Sequence, residues 1–206
     1  MAQLPSLMFE QKPAMSSGTF KALAESLMTE KDSSFFKYLS IDPDSGAASD
    51  ENTAIDSEKN QSLSYAESAL STGCRFIDNW REWERTLRLS LAKQRAVKSG
   101  RDVKTVAEPP VLYMDAAAAA SKAFDETSPM EAELVVDKAR WNAIVEFAGS
   151  DYFDQVNVYA YYLKLLLLER RQLFNAENGF SEYKKLYSEI VENYQNSGFN
   201  SPGVPK

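Results

Sequence analysis

Residues 151–174, DYFDQVNVYAYYLKLLLLERRQLF, constrain the fold more than any other stretch of this chain. From 156 to 168 every position is apolar except Asn157 and Lys164. A helix that is apolar on all sides is surrounded by other protein or by lipid. The run is shorter than the roughly 18 residues that cross a bilayer, and Glu169, Arg170 and Arg171 close it at once. The stretch therefore predicts a core helix at about 154–174, with other elements packed around it.

The remainder of the sequence can supply that packing. Apolar residues make up 44% of the 206 positions, enough for one globular domain spanning 1–206. The net charge of -7 argues against nucleic acid or an anionic membrane as a general partner. The first residues, MAQLPSLMF, lack the basic and apolar regions of a signal peptide, and a single Cys74 precludes an internal disulfide. A cytoplasmic location is the natural expectation, or a peripheral one at the inner membrane through a complex.

Histidine is absent. The chain therefore has no Ser-His-Asp triad, no Cys-His pair and no imidazole ligand for a metal. It also contains neither GxGxxG nor GxxxxGK[ST], so no standard phosphate-cradling loop is present. Any acid–base chemistry would fall to Asp, Glu, Lys or Tyr. We expect no catalytic, cofactor-binding or metal-binding residue and no cofactor.

Helical signals run along the chain. Ser16 or Ser17 can cap a helix to about Thr29 with Phe20, Leu23, Ala24 and Leu27 on one side. Asp32 can cap a short second helix through Leu39. Residues 42–62, with six acids and one lysine, read as a flexible acidic loop. A long helix starts near Ser64 or Cys74 and ends near Ser99, where Gly100 offers a left-handed cap. Its residues Phe76, Trp80, Trp83, Leu87 and Leu91 share one face, which should turn to the core. Asp115 is the expected cap of an alanine-rich helix to Phe124, whose alanines read as local helix propensity rather than close helix approach. Ser128-Pro129-Met130-Glu131 starts a further helix that should stop at Gly149. After the core helix, residues 181–194 carry Tyr183, Leu186, Tyr187, Ile190 and Tyr194 on one face, and 195–206 read as a loose tail. No alternating strand pattern is long enough to predict a sheet. The fold class is all-α, an irregular helical bundle around the buried helix. The tryptophans and tyrosines belong to its core by their helical spacing, with a lining role around a ligand as the other reading.

Two features could serve as sites. Arg81, Arg85, Arg88 and Arg95 form a stripe turned roughly 120° from the core face of the long helix. Residues 75–104 hold nine basic and four acidic side chains, a local +5 in an acidic protein. Arginine suits bidentate pairing with carboxylates, so the stripe is the candidate surface for an acidic protein partner. The competing reading is a solvated face with local pairs such as Glu84–Arg88. Glu169, at the end of the apolar helix, is the candidate structural ion pair, expected to meet a basic side chain of the 75–104 helix or its flank.

Three segments in order resemble a bacterial family encoded beside V-type ATP synthase subunits. Residues 4–39, LPSLMFEQKPAMSSGTFKALAESLMTEKDSSFFKYL, resemble its opening, a Leu-Pro segment followed by Pro and Ser before a Phe-containing helix. Residues 76–102, FIDNWREWERTLRLSLAKQRAVKSGRD, are similar to its middle helix. Residues 151–170, DYFDQVNVYAYYLKLLLLER, are similar to its C-terminal signature of an aromatic-Phe-Asp turn and a Leu-Lys-Leu helix ending in Glu-Arg. The resemblance implies a role like the C subunit of V-type ATP synthases (called d in eukaryotes), an all-helical cap between the membrane rotor and the central stalk that has no active site. The expected function is thus a non-catalytic structural or assembly component of such a complex, with its subunits as partners. Membrane contact would be indirect. A free-standing helical adaptor or assembly factor is one alternative, and a carboxylate-dependent enzyme or small-ligand binder is another.

Overall fold

In the computed structural model, residues 4–41, 71–102, 112–150 and 154–173 are described, with Lys184, Leu186, Tyr187, Ser188 and Ile190 beyond them. Of the described residues 74% are helical and none lies in a strand, so the fold is all-α. No helix among them is long and apolar enough to cross a membrane. The expected acidic loop at 42–62 and tail at 195–206 lie outside the described residues.

Local sequence sets most helix ends. Helix α1 (Ser17–Leu27) begins where the Ser16 hydroxyl accepts the Thr19 amide at 3.1 Å, and it buries Phe20 and Ala24. Met28 is extended and closes it. Helix α2 (Glu30–Ser33) follows and tightens into a 3-10 turn, Ser34–Tyr38, which buries Phe35 and Phe36. The cap of this second helix is Thr29, not the expected Asp32. The Thr29 hydroxyl accepts the Asp32 amide at 3.2 Å, as an N-cap side chain does, and donates to the Asp32 carboxylate at 2.7 Å.

Helix α3 (Arg75–Lys98) is wound from a tight entry. The Asp78 carboxylate accepts the Thr72 amide and hydroxyl, each at 2.7 Å, and the Ser71 hydroxyl at 2.8 Å. At the other end Gly100 sits at φ 67, as a residue without Cβ can do cheaply. The Arg101 amide reaches back to the Ala96 carbonyl at 3.0 Å and the Gly100 amide to Val97 at 3.2 Å, which satisfies two otherwise orphaned carbonyls. The expected core face is in place, since Phe76, Trp80, Trp83 and Leu87 are buried and Leu91 packs against them.

Helix α4 (Met114–Asp125) buries Ala116, Ala120 and Ala123, and it packs on both α3 and α5 (Pro129–Ala148). The alanine run is therefore a contact face, not merely a local preference for helix. Small side chains at this spacing let neighbouring backbones approach closely. Asp115 does not cap α4, because Tyr113 occupies that position. Its carboxylate instead accepts the Trp83 indole N–H at 2.6 Å, a bond between α4 and α3. Pro129 takes the first turn of α5 as expected. Ser128 precedes it without a side-chain cap bond, and Gly149 stops the helix at φ 66.

Helix α6 (Gln155–Leu173) is the core helix. No residue from 156 to 171 is exposed, so it is covered on all sides. Tyr161 packs on Phe20 of α1 with the rings tilted and their centroids 4.7 Å apart, and Tyr159 and Tyr162 meet Phe36 edge-on at 5.8 and 5.0 Å. The Tyr159 hydroxyl donates to the Asp32 carbonyl at 3.0 Å, and burial pushes that hydroxyl's pKa up. The lead-in before α1 is tied down too. The Tyr161 hydroxyl donates to the Pro5 carbonyl at 2.9 Å, and Phe9 meets Trp141 of α5 edge-on at 5.6 Å.

α6 is not alone in the core. α3 buries Leu89 as well as Leu87, roughly 160° away around the axis, together with Glu84, Thr86 and Ser90. The chain forms two compact units, Met1–Glu169 and Arg170–Lys206. The division falls where the apolar run of α6 gives way to arginines. In the second unit the described positions 184, 186–188 and 190 are helical, with Leu186, Tyr187 and Ile190 exposed.

Candidate functional site

The most concentrated chemistry in the first unit is a buried charge cluster between α3 and α5. Glu84, Asp137 and Arg140 are 6%, 2% and 5% exposed. A buried charge without a partner is costly, so each of these must be held by an opposite charge or hydrogen bonds. Arg140 meets Glu84 with two N–H groups, Nη2 to Oε1 at 2.7 Å and Nε to Oε2 at 3.1 Å. Its Nη1 donates to Asp137 Oδ1 at 3.2 Å, one turn earlier on the same helix. Arg88 donates from Nε to Glu84 Oε1 at 2.9 Å and from Nη2 to the Ile41 carbonyl at 2.5 Å. Two carboxylates and two guanidinium groups therefore join α3, α5 and the end of the segment that carries the 3-10 turn.

The electrostatics follow from this geometry. Burial alone would raise the Glu84 carboxyl, but the charges and hydrogen bonds of Arg140 and Arg88 outweigh it and hold the group below its ordinary 4.5. Burial opposes the charge on Arg140 in the same way, and Glu84 and Asp137 more than restore it. A carboxylate fixed in its ionised form with both oxygens occupied is a poor proton donor and a poor metal ligand. Among the described residues, no group of three or more Cys, Asp or Glu side chains could hold a metal ion.

The arginine stripe expected as a partner surface is divided by this arrangement. Arg88 belongs to the buried cluster. Arg85 forks onto both oxygens of Glu82 at 3.1 Å, and its Nε is buried with no hydrogen-bond partner. Arg81 lies over the Tyr38 ring, 5.2 Å from its centroid. Arg95 is exposed. Three of the four side chains are thus engaged within the chain, and Arg95 is the member presented outward.

Glu169 is half-buried, and its partner differs from the one expected. Its carboxylate accepts the Ser17 amide at 2.7 Å and also the Ser17 hydroxyl, so it closes the N-terminus of α1. No basic side chain of the 75–104 helix pairs with it among the described residues. The unsatisfied amides and positive end of the helix dipole supply the complement that an arginine was expected to provide.

Sequence reasoning singled out neither Asp137 nor Arg140, and it took Glu84 for a surface partner of Arg88. A signal was present. Asp137 and Arg140 are three residues apart, on the face of α5 that also carries the buried Val136, Ala143 and Ile144. A charged pair on the core side of a helix requires a third charge from elsewhere.

No protein-family model matches the chain, and no curated protein or solved structure is similar to it.

Proposed function

We propose that this chain is a non-catalytic structural or assembly component of a V-type ATP synthase or ATPase, acting like the subunit that links the membrane rotor to the central stalk. The three segments quoted above carry the family half of this reading. The non-catalytic half rests on one observation, the closed Glu84–Arg140–Asp137–Arg88 cluster. It holds the carboxylates buried among the described residues in pairs that brace helices against one another, where an acid–base enzyme needs a group with a proton to give or accept. A torque-transmitting or joining element has the opposite need, a stiff core and a binding surface.

A second reading, a free-standing helical adaptor, is favoured by the engagement of Arg81, Arg85 and Arg88 within the chain. That leaves less basic surface for one dedicated acidic partner. The enzyme or small-ligand alternative draws least support, because both carboxylates buried among the described residues are neutralised by guanidinium groups. Location at the cytoplasmic side of the inner membrane, through the complex alone, belongs to the same proposal.

The test is capture. Tagged full-length chain is expressed in its native cell, the complexes are crosslinked gently, and the captured proteins are identified by mass spectrometry. Strong enrichment of V-type ATP synthase subunits over an unrelated acidic helical protein is the expected result. Enrichment of other proteins with none of these subunits favours the adaptor and sinks the V-type assignment.

A further inference from the structure

The one charged side chain inside the apolar run of α6 is Lys164, and its setting differs from those of Lys21 and Lys98. Lys21 approaches a carboxylate, Glu25, at 3.8 Å on the surface of α1. Lys98 lies over Phe124 but is exposed at the end of α3. Lys164 is half-buried, between Leu163 and Leu165, which are wholly buried. Its Nζ lies 5.3 Å from the centroid of the Trp141 ring of α5, whose indole also packs against Phe9 of the lead-in. Among the described residues that Nζ makes no ion pair and no hydrogen bond.

An ammonium in this position has lost part of its water without gaining a carboxylate. The indole face returns some of the lost stabilisation, as cation–π contacts do, but it accepts no proton and offers no counter-charge. Partial burial without a counter-ion favours the neutral amine, and burial pushes the Lys164 amine below its usual range. Side-chain amines become nucleophiles by this route when a protein desolvates them.

From this geometry we infer that Lys164 is a preferred acylation site of this chain, reactive toward activated acyl donors such as acyl phosphates, acyl thioesters and anhydrides. The neutral Nζ lone pair attacks the acyl carbon, a C–N bond forms, and phosphate, thiolate or carboxylate leaves with the electrons of the bond it breaks. The amine proton passes to solvent. No oxidant or reductant is involved. The product is a neutral amide against Trp141, which removes the ammonium from the indole face at the junction of α5, α6 and the lead-in.

The experiment is a competition among lysines of the folded, full-length chain. Acetic anhydride is pulsed at a limiting amount near neutral pH and the sites are quantified by peptide mass spectrometry. Each rate is divided by the rate at the same site in the denatured chain, which removes effects of neighbouring sequence. A Lys164→Arg control confirms the assignment of the labelled peptide. A lowered amine pKa raises the reactive fraction tenfold per unit while intrinsic nucleophilicity falls by less. Lys164 should therefore exceed both Lys21 and Lys98 by roughly threefold or more in normalised rate. A normalised rate at or below those of Lys21 and Lys98 overturns the inference, because it means that the Trp141 setting shields the amine rather than activating it.

Discussion

Glu84 shows how one side chain can hold three parts of a chain together. Its two oxygens take three N–H groups, two from Arg140 and one from Arg88, and Arg88 passes the connection on to the Ile41 carbonyl. Removing one partner of a buried pair leaves an uncompensated charge, whereas replacing a whole network with apolar groups can be neutral. Among the described residues, Glu84→Gln leaves Asp137 as the one counter-charge of Arg140 and should cost about 3–5 kcal/mol of stability in urea unfolding. The same group gives the protein an acid limit. Its folded-state pKa lies below the ordinary 4.5, so the native state releases this proton more readily than the unfolded chain does. Its contribution is complete above that value and is lost as pH falls through the folded-state pKa. Unfolding free energy measured from neutral pH down to pH 3 (an approximate range that brackets the ordinary value) should therefore fall less steeply in Glu84→Gln than in the parent. An equal slope in the two chains would remove Glu84 from the acid response. The Glu84–Arg88 pair was legible from its i, i+4 spacing, but the Arg140 contact was not, because Arg140 is 56 residues away and the local pattern offers Arg88 as a sufficient partner.

At the scale of the helix, legibility depended on whether a signal was local. Ser16, Gly100, Pro129 and Gly149 mark helix ends by their own backbone chemistry, and each lies where the sequence places it. Asp32 and Asp115 did not behave as expected for two different reasons. At Asp32 two plausible caps stood three residues apart and the threonine prevailed. At Asp115 a partner distant in sequence, the Trp83 indole, engaged the carboxylate. The alanines of α4 were misread in the same way, since propensity is visible in a sequence and the helix pressed against a face is not. That contact makes a prediction. Ala120 is fully buried between α4 and its neighbours, while Ala118 on the same helix is exposed. Ala120→Leu should destabilise by about 1–3 kcal/mol through overpacking, and Ala118→Leu should change stability by less than about 0.5 kcal/mol. Equal effects in thermal or urea unfolding would mean that α4 does not rest on its alanines.

For the molecule as a whole, the question is where binding energy could come from once most of the arginine stripe is engaged internally. Arg88 is bound to the buried Glu84, Arg85 is neutralised by Glu82, and Arg81 is seated on Tyr38, so reversing any of them would disturb packing along with charge. Arg95 is exposed on the last turns of α3, where a positive charge also complements the helix dipole. It is the position at which charge and fold can be separated. Arg95→Glu should leave stability within about 1 kcal/mol, the dipole contribution included. If an acidic face of a V-type ATP synthase subunit meets this end of α3, the change should slow association, most clearly at low salt, and reduce capture of those subunits. Capture that is equal for parent and Arg95→Glu chains across a salt series would make Arg95 a solvated charge. The binding surface would then have to be sought among exposed apolar side chains such as Met130, Leu134 and Val145 of α5, whose contribution would be insensitive to salt.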